Sequence, residues 1–147
     1  MDTKIINSEI IQILLEYIML NITEKKQLFT FIYDVFCSKL LQMANSKEKR
    51  ALLLLQIGYL YENGDGFRKD YSQANKYYSL SIKEGNSEAY TNLGDLYRKG
   101  YGVMVDFKEA KKYYDKGLIL NSSSAAVALG DLYYNGYGVE KNYEKAK

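Results

Sequence analysis

The chain has 147 residues, long enough for one domain with a buried core, and its 47% hydrophobic and 26% charged residues are ordinary for a globular protein. A net charge of +2, with lysines dispersed along the chain, excludes the concentrated basic stripe of a nucleic-acid groove. With no histidine and a single cysteine, Cys37, the chain excludes Ser-His-Asp and Cys-His catalysis, histidine-ligated metal and an intramolecular disulfide, and a reducing, cytoplasmic location is expected.

In chain order, Asn7 to Leu20 reads as a helix capped by Ser8, with Ile10, Ile13, Leu14, Tyr17 and Ile18 at helical spacing. This is the most apolar run, but Gln12 and Glu16 interrupt it, so no membrane span is expected. Met1-Asp2-Thr3-Lys4 lacks a basic n-region, so no signal peptide is expected either. A second helix is expected from Thr23, as cap, to about Ala44, with Phe29, Ile32, Phe36, Leu40 and Met43 as its stripe. Cys37 lies near that stripe with no base to activate it and reads as a buried, inert thiol. Residues 1–50 are read as N-terminal capping helices, and Asn45-Ser46-Lys47-Glu48-Lys49-Arg50 as a polar link too short to separate independent domains.

From residue 51 the chain repeats. Leu93-Gly94-Asp95-Leu96-Tyr97-Arg98-Lys99-Gly100-Tyr101-Gly102 has counterparts 36 residues earlier, from Ile57 to Gly66, and 36 residues later, from Leu129 to Gly138. Units 52–87, 88–123 and a partial 124–147 share the columns of Gly58, Leu60, Tyr61, Gly64, Gly66 and Ala74. A fixed period of this size marks a solenoid. The fold expected is therefore all-α, a right-handed α-α superhelix of helix-turn-helix repeats behind an N-terminal helical cap.

Within the second unit, helix A is expected from Glu88 to Lys99, with Ala89, Leu93, Leu96 and Tyr97 on one face. Gly94 sits mid-helix, where glycine costs about 1 kcal/mol against alanine, so its recurrence implies a compensating close approach, with the column of Ala74, Ala110 and Ala146 as the small partner. Gly100 ends helix A and Gly102 serves the turn. Helix B opens at Asp106, with Glu109 completing a capping-box-like pair; Asp70 with Gln73 repeats it, and Asn142 keeps the cap while Lys145 breaks the box. Gly85 and Asn121 are expected to end the two helices B.

At these residues the chain resembles the Sel-one-like repeat family of tetratricopeptide-like α-solenoids. The second unit carries the family's pattern in Ala89, Leu93, Gly94, Tyr97, Gly100, Gly102, Val103, Asp106, Ala110, Tyr113 and Tyr114, and the resemblance covers residues 52–147. It departs where Tyr77 and Tyr113 stand for the family's frequent tryptophan, at Leu80-Ser81 and Lys116-Gly117, and at Leu53. The resemblance implies an adaptor that gathers protein partners. A branch of secreted, β-lactam-binding members depends on paired cysteines, which this chain lacks.

Apart from the resemblance, the chain shows no catalytic, metal or cofactor constellation. Gly64-Asp65-Gly66 and Gly100-Tyr101-Gly102 join two helices in register, so they read as turns and not as a phosphate cradle. The tyrosines of the repeat columns read as core with hydrogen-bonded hydroxyls. Candidate partner-binding residues lie on helix A opposite the core column: Tyr59, Glu62, Thr91, Asp95, Arg98, Asp131 and Tyr134, with Leu55 and Val127 in register. A concave wall of helices A is the usual partner surface of such arrays, so the expected partner is a peptide or protein. Asp95→Arg and Tyr59→Ala are both expected to weaken binding without lowering the melting temperature. The alternative is an architectural or regulatory segment of a larger multidomain protein, with an enzymatic domain elsewhere. Lys147 comes too soon after Asn142 for a helix B, so Leu129, Leu132 and Tyr133 are expected to lack half their cover, with a longer array or self-association through this end supplying it.

Overall fold

The computed structural model describes residues 22–64 and 68–147, and among these it holds six helices and no strand. The expected helix Asn7 to Leu20 with its Ser8 cap, and Gly66, lie outside the described residues. The chain divides into two compact units, residues 1–39 and 40–147.

In the first unit the described element is most of helix α1 (Ile22–Met43). Its buried side passes through Cys37, whereas Phe36 and Met43, expected on the stripe, are exposed. Ile32 and Leu40, also expected on the stripe, are half-buried. Burial, and then the nearby Asp34 carboxylate, push the Cys37 thiol up to about 11. At neutral pH it is a protonated, inert thiol.

The second unit contains the repeats. Helix α2 (Lys47–Asn63) is the first helix A, and it begins inside the stretch read as a link. Ser46 accepts a hydrogen bond from the Lys49 amide at 3.2 Å and Glu48 lies in the first turn, so the polar run is a capped helix start and not a linker. Helix α3 (Tyr71–Lys83) is its helix B; α4 (Glu88–Lys99) and α5 (Phe107–Ile119) form the second pair; α6 (Ser123–Asn135) is the third helix A. Residues 143–146 make a single turn behind Asn142, whose side chain accepts from the Lys145 amide at 3.0 Å.

The caps form as the sequence indicates, but the box does not close. Asp70 accepts from the amides of Ser72 and Gln73, and Asp106 from those of Lys108 and Glu109. The reciprocal half would need the cap residue's own N–H. That N–H is already spent: Asp70, Asp106 and Asn142 donate to the carbonyls of Tyr61, Tyr97 and Tyr133 at 2.9, 3.0 and 3.0 Å. The start of helix B is thus tied to the helix A before it. Lys145 can replace the acid because that position was never needed for a box.

Two glycines show why the motif is a pair. Gly94 lies where a Cβ would fall 2.7 Å from Tyr114 Cδ1, closer still to Cε1, and 3.1 Å from the Ala110 carbonyl oxygen. The small residue at Gly94 therefore makes room for a tyrosine ring; the alanine column contributes its backbone carbonyl, not the main contact. Gly102 has φ +72°, and a Cβ there would sit 2.7 Å from Tyr71 Cβ. It meets both demands of the turn, a left-handed backbone and contact with the preceding unit's helix B. Tyr101 then stacks on Tyr71 at 4.7 Å, and Tyr137 stacks on Phe107 at 5.0 Å one unit later. The second and third A–B turns are each locked on the first residue of the previous helix B. Helices α3 and α5 finish as expected, with Gly85 at φ 99° and Asn121 at φ 63°.

The core is one row of small and large residues. Ala74, Tyr78, Ala89, Leu96, Ala110, Tyr114, Ala125 and Leu132 are all fully buried. Leu129 and Leu132, expected to lack cover, are buried in a cluster with Ala110 and Tyr114, against which Tyr97, Phe107, Ala128 and Val139 pack. The preceding helix B, α5, covers them, which a count of residues after Asn142 could not reveal. Tyr133 alone of the three is half-buried.

Candidate functional site

The face of helices A opposite the core is built by what the helix B tyrosines reach. The Tyr78 ring lies against Gly58 and its hydroxyl emerges at Glu62, donating to the carboxylate at 2.7 Å. Tyr114 lies against Gly94 in the same way and donates to Asp95 at 2.6 Å. The two acids stand in different columns of the repeat, three residues apart, so the same phenol position is satisfied from successive turns of one face of helix A. Lys99 Nζ lies 3.7 Å from Glu62 and 3.5 Å from Asp95, and Arg98 Nε lies 3.2 Å from Asp95. The result is a network joining α2 and α4.

Both buried phenols are held above the ordinary tyrosine value. Burial is the largest cause, followed by the hydrogen bond to the carboxylate, Glu62 for Tyr78 and Asp95 for Tyr114. Below the ordinary tyrosine value of 10.0, both phenols are protonated in the folded and unfolded chain alike. Above it, the unfolded chain releases these protons while the folded chain keeps them. Stability is therefore lost as pH rises beyond that value, at about 1.4 kcal/mol per pH unit for each phenol. Urea unfolding at successive alkaline pH values should show this slope, and Tyr78→Phe with Tyr114→Phe should flatten it.

The seven residues singled out from the sequence divide by environment. Glu62, Asp95 and Arg98 are part-buried and engaged in the network. Thr91 is 7% exposed, with its hydroxyl 3.3 Å from that of Ser122, and so offers a partner little surface. The turn before α6 carries Ser122 against it, which the spacing within helix A does not show. Tyr59, at 54%, and Tyr134, at 60%, are exposed aromatic rings, and Asp131, in the column of Tyr59, is exposed as well. Tyr134 meets Tyr143 edge-on at 5.5 Å. Val127, in register with Leu55 and Thr91, is 68% exposed. A groove of about 450 Å³ is lined by Leu55, Gln56, Tyr59, Leu60 and Asn92. Gln56, Leu60 and Asn92 belong to it although the sequence singled out none of them for binding.

Among the described residues there is no group of three or more metal-ligating side chains, and no helix is long and apolar enough to cross a membrane. The arrangement offers shape, aromatic surface and fixed charge.

Comparison with known proteins points the same way. The Sel1 repeat family model matches residues 52–86, 87–121 and 123–147. A protective antigen of uropathogenic Escherichia coli strains displaying an SLR fold is 33% identical over 66% of this chain and 21% of that one, with a TM-score of 0.59. A Sel1 repeat protein from Oxalobacter formigenes is 29% identical over 86% of this chain and 46% of that one, with a TM-score of 0.61. The chain thus spans less than half the length of either structure. No curated protein matches it. Paired helices, recurring glycines and three family-model matches together cover more than half of the sequence, and the chain belongs to the Sel1 repeat family.

Proposed function

We propose that the chain is an adaptor that grips a peptide or protein on a concave wall of helices A in a right-handed superhelix, with residues 1–50 as its N-terminal cap and without catalysis of its own. Sel1 repeats are, as a family, non-catalytic protein-interaction modules, and this reading places the contact on one face. The observation that carries it is the pair of exposed rings Tyr59 and Tyr134 on helices α2 and α6, where neighbouring face positions are already hydrogen-bonded within the molecule. Exposed aromatics beside a groove are the usual anchors of an interface. A cytoplasmic location and protein partners, without nucleic acid or membrane, belong to the same proposal, as does self-association through the third unit.

The test is affinity capture from the source cell with the parent chain and with Tyr59→Ala plus Tyr134→Ala. Loss of a captured partner is expected, with stability unchanged to within about 0.5 kcal/mol because both rings are exposed. An unchanged set of partners sinks the assignment of this face. A second reading, an architectural or regulatory segment of a larger multidomain and enzymatic protein, is favoured by the 21% and 46% shares of the similar structures that the chain spans.

A further inference from the structure

Helix A ends on an Asn-Gly pair in the first and third units, Asn63-Gly64 and Asn135-Gly136, and on Lys99-Gly100 in the second. The three turns are otherwise alike. Each glycine is left-handed, at φ +75°, +71° and +72° for Gly64, Gly100 and Gly136. Each donates its N–H to the carbonyl four residues back, Leu60, Leu96 or Leu132. Asn63 and Asn135 are both exposed.

An Asn-Gly pair is the dipeptide most open to loss of its side-chain amide, because glycine has no side chain to shield its own nitrogen. That nitrogen, having given up its proton, attacks Asn Cγ. The Cγ–Nδ2 bond breaks, and the amide leaves as ammonia after taking up a proton. Water then opens either C–N bond of the cyclic imide, leaving aspartate or its isomer with a lengthened backbone. Solvent water is the one co-reactant, and nothing is oxidised or reduced.

The native turn obstructs each requirement of that reaction. The Gly64 N–H is held by the Leu60 carbonyl at 2.8 Å and the Gly136 N–H by the Leu132 carbonyl at 2.9 Å, so the nucleophile is occupied. Asn63 Nδ2 donates to the Tyr59 carbonyl at 2.9 Å and Asn135 Nδ2 to the Asp131 carbonyl at 2.8 Å. Each amide is thereby drawn back along its helix, away from the glycine. Ring closure also needs the glycine nitrogen eclipsed with Asn Cβ, which the helical ψ of about −42° does not give. Beyond the first turn, Asp70 donates its N–H to the Tyr61 carbonyl and caps α3 with its carboxylate, which ties the far side down as well.

We propose that Asn63 and Asn135 are gated deamidation sites, shut in the native turn and modified only when the last turn of helix A opens. The product weakens its own gate. A carboxylate at either position cannot donate to the Tyr59 or Asp131 carbonyl, and it sets a negative charge at the negative end of the helix dipole. The first and third units thus carry an irreversible loosening step that the second, with Lys99, lacks.

Incubation of the full chain at mildly alkaline pH, folded and in guanidinium, with peptide mapping by mass spectrometry, tests this. Both sites should be modified at least tenfold more slowly in the folded chain. Asp70→Ala, which uncaps α3 beside the first turn, should speed modification of Asn63 about fivefold and leave Asn135 unchanged as an internal reference. Asn63→Asp, standing for the product, should speed hydrogen exchange of the Gly64 amide about threefold. Equal rates in the folded and unfolded chain, or no modification in the unfolded chain, overturn the proposal. An Asp70→Ala effect of equal size at both sites overturns it too, because the gate is then unfolding of the whole chain. Unchanged Gly64 exchange in Asn63→Asp overturns the loosening. None of these measurements uses a partner, so the outcome is independent of the helix A face.

Discussion

Tyr114→Ala is expected to cost about 3–5 kcal/mol, the range for removing a large buried ring, and Gly94→Ala about 1–2 kcal/mol, although alanine is the better helix former by about 1 kcal/mol. Tyr114 is fully buried and its ring lies where a Cβ on Gly94 would go, so neither partner can yield. The two substitutions should not add. With the ring gone, the methyl group at position 94 meets open space and keeps only its helix preference. The double variant should then be no less stable than Tyr114→Ala alone, and slightly more stable if the space collapses around the new methyl. Urea midpoints of the four proteins measure this coupling. A Gly94→Ala chain more stable than the parent would show that the glycine is not there for the ring.

That cycle marks where reading the chain succeeds. Gly94 was legible because it violates a helix preference at a fixed period, and a repeated violation needs a repeated cause; Gly102 was legible because it recurs where a turn needs a permissive backbone. The caps at Asp70 and Asp106 were legible because an N-cap acts within three residues. What stayed hidden depends on pairs distant in sequence. The cap amides of Asp70 and Asp106 go to carbonyls nine residues back across a turn, a competition that no capping rule includes. Glu62 and Asp95 sit on the outer face by helical spacing, yet a phenol from the next helix reaches through to each. A wheel drawn for helix A alone cannot show that. Thr91 was misplaced for the same reason, since the turn holding Ser122 covers it. Tyr59 and Tyr134 kept their assignment as exposed because no helix B side chain in the described structure takes their place.

The same reasoning reverses one expectation drawn from the sequence. Asp95→Arg was expected to leave the melting temperature unchanged; the structure requires it to fall. The substitution removes the acceptor of the Tyr114 hydroxyl, at 2.6 Å, and sets a third cation beside Arg98 and Lys99. Stranding a buried phenol costs about 1–3 kcal/mol, and repulsion among part-exposed cations adds up to about 1 kcal/mol, so a loss of about 1–4 kcal/mol is expected. Asp95→Asn, which retains an acceptor oxygen, should lose less than half of that. Thermal and urea unfolding of both variants check the order, and an Asp95→Arg chain as stable as its parent would show that the hydrogen bond contributes nothing. The consequence reaches the functional test as well. Any loss of partner binding in Asp95→Arg would mix a disturbed fold with a disturbed surface, whereas Tyr59→Ala and Tyr134→Ala change the surface alone.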